Sequence, residues 1–279
     1  MPQLREGAFP GAPGGSGLKN APRTAAAEKR IPVRDSGEGE IMRNVLITGG
    51  TGGIGAAMVR RFSAAGDRVF FTWAHAEEKA AALSRETGAE MIRADVTDGE
   101  QVSQAVRRAE QTAGHIDVLI CCAGVSLNRM IMDTTDEEFR SVTDTNLYGT
   151  FAAIRAAMPG MFWRRQGCIL TVSSIWGQSG ASCEAVYSAS KAAVIGLTQA
   201  AAREAAGAGI RVNCIAPGMI DTPMNDHLSE EEKKSICEEI PLSRMGTPEE
   251  TAEVAFFLAG DAAAYITGQV IPVNGGWRM

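Results

Sequence analysis

The phenol of Tyr187 and the ammonium of Lys191 stand four residues apart in EAVYSASKAAVIGLTQ. The segment has helical period, so both side chains lie on one face. A free phenol titrates near 10 and relays protons poorly at neutral pH unless a nearby cation favours the phenolate. Lowering it by about three units takes roughly 4 kcal/mol, within reach of a partly desolvated ammonium. Ser174 and its neighbour Ser173 end the apolar run CILTVSS upstream, and the carboxyl end of a strand is where open α/β sheets bind ligands. Farther upstream, Thr48-Gly49-Gly50-Thr51-Gly52-Gly53-Ile54-Gly55 follows another apolar run and leads into AAMVRRFSAAG. Glycines at such a crossover allow a tight turn and bring backbone N–H groups close to a pyrophosphate, which the positive end of the next helix also attracts. Dinucleotide binding is the chemistry this context supports.

The elements that must position these residues follow from the apolar pattern. NVLIT (44–48), RVFFTW (68–73), EMIRAD (90–95), DVLICC (117–122), CILTVSS (168–174), RVNCIA (211–216) and QVIPV (269–273) read as strands, most of them apolar on both faces. Such strands belong in a parallel sheet covered on both sides. Helical periodicity fills 53–65, 76–87, 98–113, 135–164, 184–207 and 248–259. The alternation predicts one α/β domain over 41–279, a Rossmann-type doubly wound parallel sheet. Residues 1–40, rich in Pro and Gly and poor in large apolar side chains, read instead as a disordered N-terminal tail.

Composition removes other classes. Of the 279 residues 45% are hydrophobic and 22% charged, which suits a globular protein, and 27 Lys plus Arg against 33 Asp plus Glu leave a net charge of -6. No global basic field draws the chain to nucleic acid or anionic lipid. The six cysteines form no CxxC pair and the three histidines are far apart, so neither a metal site nor a disulfide framework is expected. No membrane span or secretion signal is visible, and the chain reads as a reduced cytoplasmic protein.

The TGxxxGxG spacing of the turn resembles that of the short-chain dehydrogenase/reductase family. Further marks follow in order over 44–277: Asp95-Val96 after the third strand, Ala123-Gly124 after the fourth, Asn146 in NLYG, Ser174, Tyr187 and Lys191 of YSASK, and Pro217-Gly218 ahead of Ile220 and Thr222. The resemblance implies a catalytic set of Asn146, Ser174, Tyr187 and Lys191, with Ser174 preferred to Ser173 because the family's serine stands thirteen before its tyrosine. Asn146 would open its helix at a water linking Lys191 to solvent, and Lys191 would also bind the cofactor ribose. Cofactor contacts would come from Gly49, Thr51, Gly53, Ile54, Gly55, Trp73, His75, Asp95, Val96, Ala123, Gly124, Tyr187, Lys191, Pro217, Gly218, Ile220 and Thr222. Cys121-Cys122 stands where the family usually has two asparagines, which would place two thiols beside the cofactor, with no cation evident to activate them.

The end of the second strand bears on the choice of cofactor. An acidic side chain there binds the ribose 2′-OH of NAD and repels the 2′-phosphate of NADP. This chain has Trp73, Ala74 and His75 instead, with no carboxylate before Glu77. NADP is expected over NAD, although Gly52 supplies no cation in the glycine turn and leaves His75 and Lys79 as the phosphate's candidates.

Within the family, PLSRMGTPEE and ITGQVIPVNGGW resemble the 3-oxoacyl-acyl-carrier-protein reductase group, which reduces a ketone to a secondary alcohol. Arg164-Arg165 match one position at which that group docks its acidic carrier protein; the other falls on Ala208. SSIWGQSGASCEAVYSASK and NGGW are also similar to bacterial reductases acting on the 5-aminopentanone modification of elongation factor P, with Trp176, Cys183 and Glu184 on the substrate side. A reading of another class, a non-catalytic nucleotide sensor on the same fold, would be signalled by loss of Tyr187 or Lys191, and both are present. Family members pair helices like 136–164 into larger assemblies, so a homotetramer is expected.

Overall fold

The computed structural model describes residues 42–278. The expected tail, 1–40, lies outside the described residues. The apolar runs form strands β1 (Asn44–Thr48), β2 (Arg68–Trp73), β3 (Glu90–Arg93), β4 (Val118–Cys121), β5 (Gly167–Val172), β6 (Ile210–Pro217) and β7 (Val270–Val273). All neighbours pair in parallel, in the order β3-β2-β1-β4-β5-β6-β7. The helices are α1 (Gly53–Ala64), α2 (Glu77–Thr87), α3 (Gly99–Ala113), α4 (Asp136–Thr143), α5 (Gly149–Arg164), α6 (Trp176–Ser179), α7 (Ala185–Ala205), α8 (Glu230–Glu239) and α9 (Pro248–Ala259).

The strands are apolar on both faces because both faces are covered. On one, Leu46, Phe70, Leu119 and Ile169 pack against α3, α5 and α7 through Val102, Ala153, Ala157 and Ala205. On the other, Val45, Ile47, Phe71 and Leu170 meet α1, α2 and α9 through Met58, Phe62, Leu83 and Leu258. Each large apolar side chain buried in this way contributes about 1.5–3 kcal/mol. The described residues therefore form the expected single doubly wound α/β domain.

Chain order reverses between β1 and β4, which are neighbours in the sheet. The loops that leave these strands part at that point and open a crevice over the carboxyl ends of the sheet. The glycine turn and the loop after β4 form its two lips.

Two expectations on the helices need correction. The segment read as one helix over 135–164 is interrupted: a π-helical turn, Asp144–Tyr148, joins α4 to α5. Helix α8 was missed because it buries no residue and its EEEKKSICEE is polar nearly all round. Its start was legible, since Ser229 and Glu232 make a capping box. Among the described residues no helix is long and apolar enough to cross a membrane. Nor does any group of three or more His, Cys, Asp or Glu among them suit a metal ion.

Candidate active site

A cleft of about 900 Å³ lies over the carboxyl ends of the strands, a volume typical of ligand sites. Each loop contributes what the sequence suggested. Gly49, Thr51, Gly53, Ile54 and Gly55 come from the first turn, Trp73 and His75 from the end of β2, and Asp95 and Val96 from beyond β3. Ala123 and Gly124 follow β4, and Pro217, Gly218, Ile220 and Thr222 follow β6. Ser174, Tyr187 and Lys191 line the same cleft. Asn146 does not line it and stands behind the wall, fully buried.

The turn suits a pyrophosphate. Gly49 has φ +69°, and a Cβ on it would lie 2.6 Å from the Cα of Ala123, so only glycine lets the two lips close to this distance. Helix α1 starts at Gly52 with no side-chain cap and no acidic residue in its first turn, whereas α3, α4, α8 and α9 are capped by Asp98, Thr135, Ser229 and Thr247. Its free N–H groups and positive dipole end are left for an anion. These residues fit a dinucleotide. Gly49→Ala is expected to cost about 1–3 kcal/mol from the left-handed backbone alone, and to weaken dinucleotide binding as well. A melting curve and a binding isotherm both equal to wild type would contradict this.

The polar centre is built by β5 and α7. Ser174 follows β5, and its hydroxyl accepts the Trp176 N–H at 3.2 Å. Tyr187 and Lys191, one turn apart on α7, are both buried, with the Lys191 ammonium 5.7 Å from the Tyr187 ring centroid. Lys191 Nζ donates to the Val172 carbonyl at 3.0 Å, which leaves two of its three protons for other partners. The rival Ser173 also lines the cleft, but its hydroxyl is engaged by the Lys191 carbonyl, to which it donates at 2.7 Å, whereas the Ser174 hydroxyl neighbours that of Tyr187.

The lowered phenol expected from the sequence is not found. Burial pushes Tyr187 up to about 12; the neighbouring Ser174 hydroxyl pulls it down and the Glu184 carboxylate pushes it up. Burial also lowers Lys191, against the opposing effect of Cys122 and Cys214. Tyr187 is therefore held as a protonated phenol, the state of a proton donor.

Asn146 sits in the π-helical turn, where its amide closes on the loop after β4. Its Oδ1 accepts the Val125 N–H at 2.9 Å, and its Nδ2 donates to the Val125 carbonyl at 2.9 Å and to Ser190 Oγ at 3.0 Å. A Cβ on Gly124 would lie 3.1 Å from Lys191 Nζ and 3.2 Å from Asn146 Oδ1. The bare glycine thus leaves both groups open to a shared space.

One other expectation fails on geometry. Only Cys122 of the thiol pair lines the cleft; Cys121, the last residue of β4, turns into the core toward the Thr150 carbonyl. A cation is in fact near: burial raises Cys122 to about 11 while Lys191 lowers it, and burial prevails. Arg164 and Arg165 precede β5 whereas Ser174 follows it, so they lie at the opposite end of the sheet from the cleft. Arg164 is held by Asp117 at 3.0 Å, and Arg165 donates to the Gly207 carbonyl at 2.7 Å.

The far wall of the cleft was largely invisible in the sequence. Met219, Met224, His227, Leu228 and Ile236 belong to the segment running from β6 through α8, and Trp277 comes from the C-terminal stretch. The Trp277 ring meets Trp176 edge-on at 5.1 Å. Glu184 also lines the cleft, and burial raises its carboxyl against the pull of His227.

The family described as enoyl-(acyl carrier protein) reductase, of the short-chain dehydrogenase type, matches residues 49–278. The chain belongs to the short-chain dehydrogenase/reductase family. It is 40% identical over 245 residues to the 3-oxoacyl-[acyl-carrier-protein] reductase FabG of Staphylococcus aureus, covering 86% of this chain and 100% of that one. The enzyme of the same name from Escherichia coli is 37% identical over 244 residues, 87% and 98% of the two chains. A solved 3-oxoacyl-[acyl-carrier protein] reductase from Brucella melitensis superposes with a TM-score of 0.80 at 34% identity, covering 85% of this chain and 91% of the other. Like others in this family, the chain is an oxidoreductase that uses a nicotinamide cofactor on C=O and CH–OH groups.

Proposed function

We propose that this protein reduces the ketone of a 3-oxoacyl group, carried on an acyl carrier protein, to a secondary alcohol with NADPH. The observation that carries the reading is the meeting of Ser174, Tyr187 and Lys191 in one cleft with the glycine turn of α1. The names of the full-length relatives favour this substrate over the 5-aminopentanone alternative.

The nicotinamide, when bound, supplies the hydride to the carbonyl carbon. Ser174 and Tyr187 hydroxyls hold the carbonyl oxygen, which fixes its orientation and stabilises the charge it develops. Tyr187 gives its proton to that oxygen. Lys191, with two protons free of the Val172 carbonyl, binds the cofactor ribose and favours the phenolate left behind. Asn146 holds the loop after β4 and, through water in the space beside Gly124, links Lys191 to solvent so that the proton is replaced. Trp176 and Trp277 close the substrate end. The assay is NADPH oxidation with acetoacetyl carrier protein and, in parallel, a 5-aminopentanone peptide. Turnover of the first and not the second is expected; turnover of the peptide alone would reassign the substrate.

The same reading makes the protein a cytoplasmic homotetramer. On α4 and α5, Phe139 and Trp163 are 50% and 90% exposed, and Tyr265 and Phe257 form a second apolar region before β7 and on α9. Exposed large apolar groups of this kind mark interaction surfaces. Light scattering is expected to give four times the chain mass; a stable monomer at micromolar concentration would refute the assembly.

A further inference from the structure

The substrate end of the cleft is apolar and carries two indoles. Met219, Met224, Leu228 and Ile236 line a wall that runs from β6 through α8, and Trp176 and Trp277 line the same cleft. Such a lining takes up hydrocarbon. Trp176 stands two residues after Ser174 and gives its backbone N–H to the Ser174 hydroxyl at 3.2 Å. The Trp277 ring meets that of Trp176 edge-on, with the ring centroids 5.1 Å apart. The indole pair is thereby tied to the hydroxyl that holds the ketone.

Trp277 is held in this place by a tight turn. The Asn274 carbonyl accepts the Trp277 N–H at 3.0 Å, its side-chain oxygen accepts the Gly276 N–H at 3.0 Å, and its amide donates to the Arg278 carbonyl at 2.7 Å. Gly275 and Gly276 have φ +61° and +85°, and a Cβ on Gly275 would lie 2.8 Å from the Ile240 side chain, so the bend needs glycine. The Trp277 indole N–H reaches Glu239 at 3.3 Å. Ile236 and Glu239 are three residues apart on α8 and share a face, which sets the indole beside the apolar wall. Arg278, the next residue, places its guanidinium 5.5 Å from the Trp176 ring centroid, so one turn restrains both indoles.

We infer that Trp277, held on Trp176, limits the length of the acyl chain, so that the site admits a short 3-oxoacyl group and rejects a long one. The inference rests on the 3-oxoacyl reading and names the subclass of its substrate. A pocket of about 300–1,000 Å³ ordinarily serves one ligand, and this cleft of about 900 Å³ takes a dinucleotide as well as the acyl group. A methyl group beyond the ketone fits in front of the indoles. A longer chain has to displace Trp277 from both Trp176 and Glu239, and packed aromatic side chains resist such displacement.

The test uses the whole protein and two thioesters on the same carrier protein, acetoacetyl and 3-oxododecanoyl, with kcat/KM measured for each. Contacts to the carrier cancel in the ratio. Wild type should prefer the acetoacetyl group by about tenfold or more, and Trp277→Ala should raise the relative efficiency on 3-oxododecanoyl by about tenfold. Trp277→Leu, smaller than an indole yet apolar, should move the ratio the same way and serves if the alanine protein does not fold. A wild type that uses both chains equally, or a ratio unchanged in the variants, would overturn the role of Trp277 and leave the 3-oxoacyl reading intact. Turnover of neither thioester by wild type would overturn the 3-oxoacyl reading itself, and the inference with it.

Discussion

Tyr187→Phe is expected to lower the rate of ketone reduction at least a hundredfold, the lower end for loss of a general acid. The substitution removes one hydroxyl and keeps the buried ring, so fold and cofactor binding should survive. What disappears is the proton source and one of two donors to the carbonyl oxygen. The raised pKa of Tyr187, about 12, sets the direction of the pH dependence. A donor must begin protonated, so reduction should not fall through loss of this proton until pH passes well above 10. Oxidation of the alcohol needs the phenolate and should rise with pH over the same interval. A fully active Tyr187→Phe protein would remove the assignment.

The second large effect concerns the cofactor. Ala74→Asp is expected to turn a preference for NADPH into one for NADH, a change of roughly ten- to a hundredfold or about 1–3 kcal/mol. The new carboxylate would accept from the ribose 2′-hydroxyl and repel a 2′-phosphate. Trp73 occupies the strand-end position that the sequence alone points to, but it is the poorer site for the change. Its ring packs in the core, and removing a buried Trp side chain costs about 3–5 kcal/mol. Ala74 is only half-buried and lines the cleft. The measurement is the ratio of catalytic efficiencies with the two cofactors, in wild type and variant. A wild type that already prefers NADH would show that the uncharged Gly52 was the better guide.

Why some of this was legible in sequence and some was not is clear from particular residues. β1, β2 and α9 lie where the apolar pattern put them, because strands covered on both faces and a helix opened by a Thr–Pro cap carry local signals. The Tyr187–Lys191 spacing is likewise local to one helix. The phenol's pKa is not: it depends on burial and on Glu184, which spacing cannot weigh. Asn146 was visible as a poor helix former, yet its closure on Val125 depends on a loop 21 residues away. The contact of Trp176 with Trp277 joins separate elements. The adjacency of Arg164 and Arg165 likewise says nothing of which end of β5 they occupy.

The central claim is hydride transfer from a nicotinamide held at the glycine turn to a ketone held by Ser174 and Tyr187. It is tested most directly with NADPH deuterated at the transferring carbon-4 position and acetoacetyl carrier protein as acceptor, followed by mass spectrometry of the hydroxyacyl product. One deuterium on the new carbinol carbon is predicted for wild type, with formation of this product reduced at least a hundredfold in Tyr187→Phe. Product without deuterium, or labelled product formed equally well by Tyr187→Phe, would contradict the account.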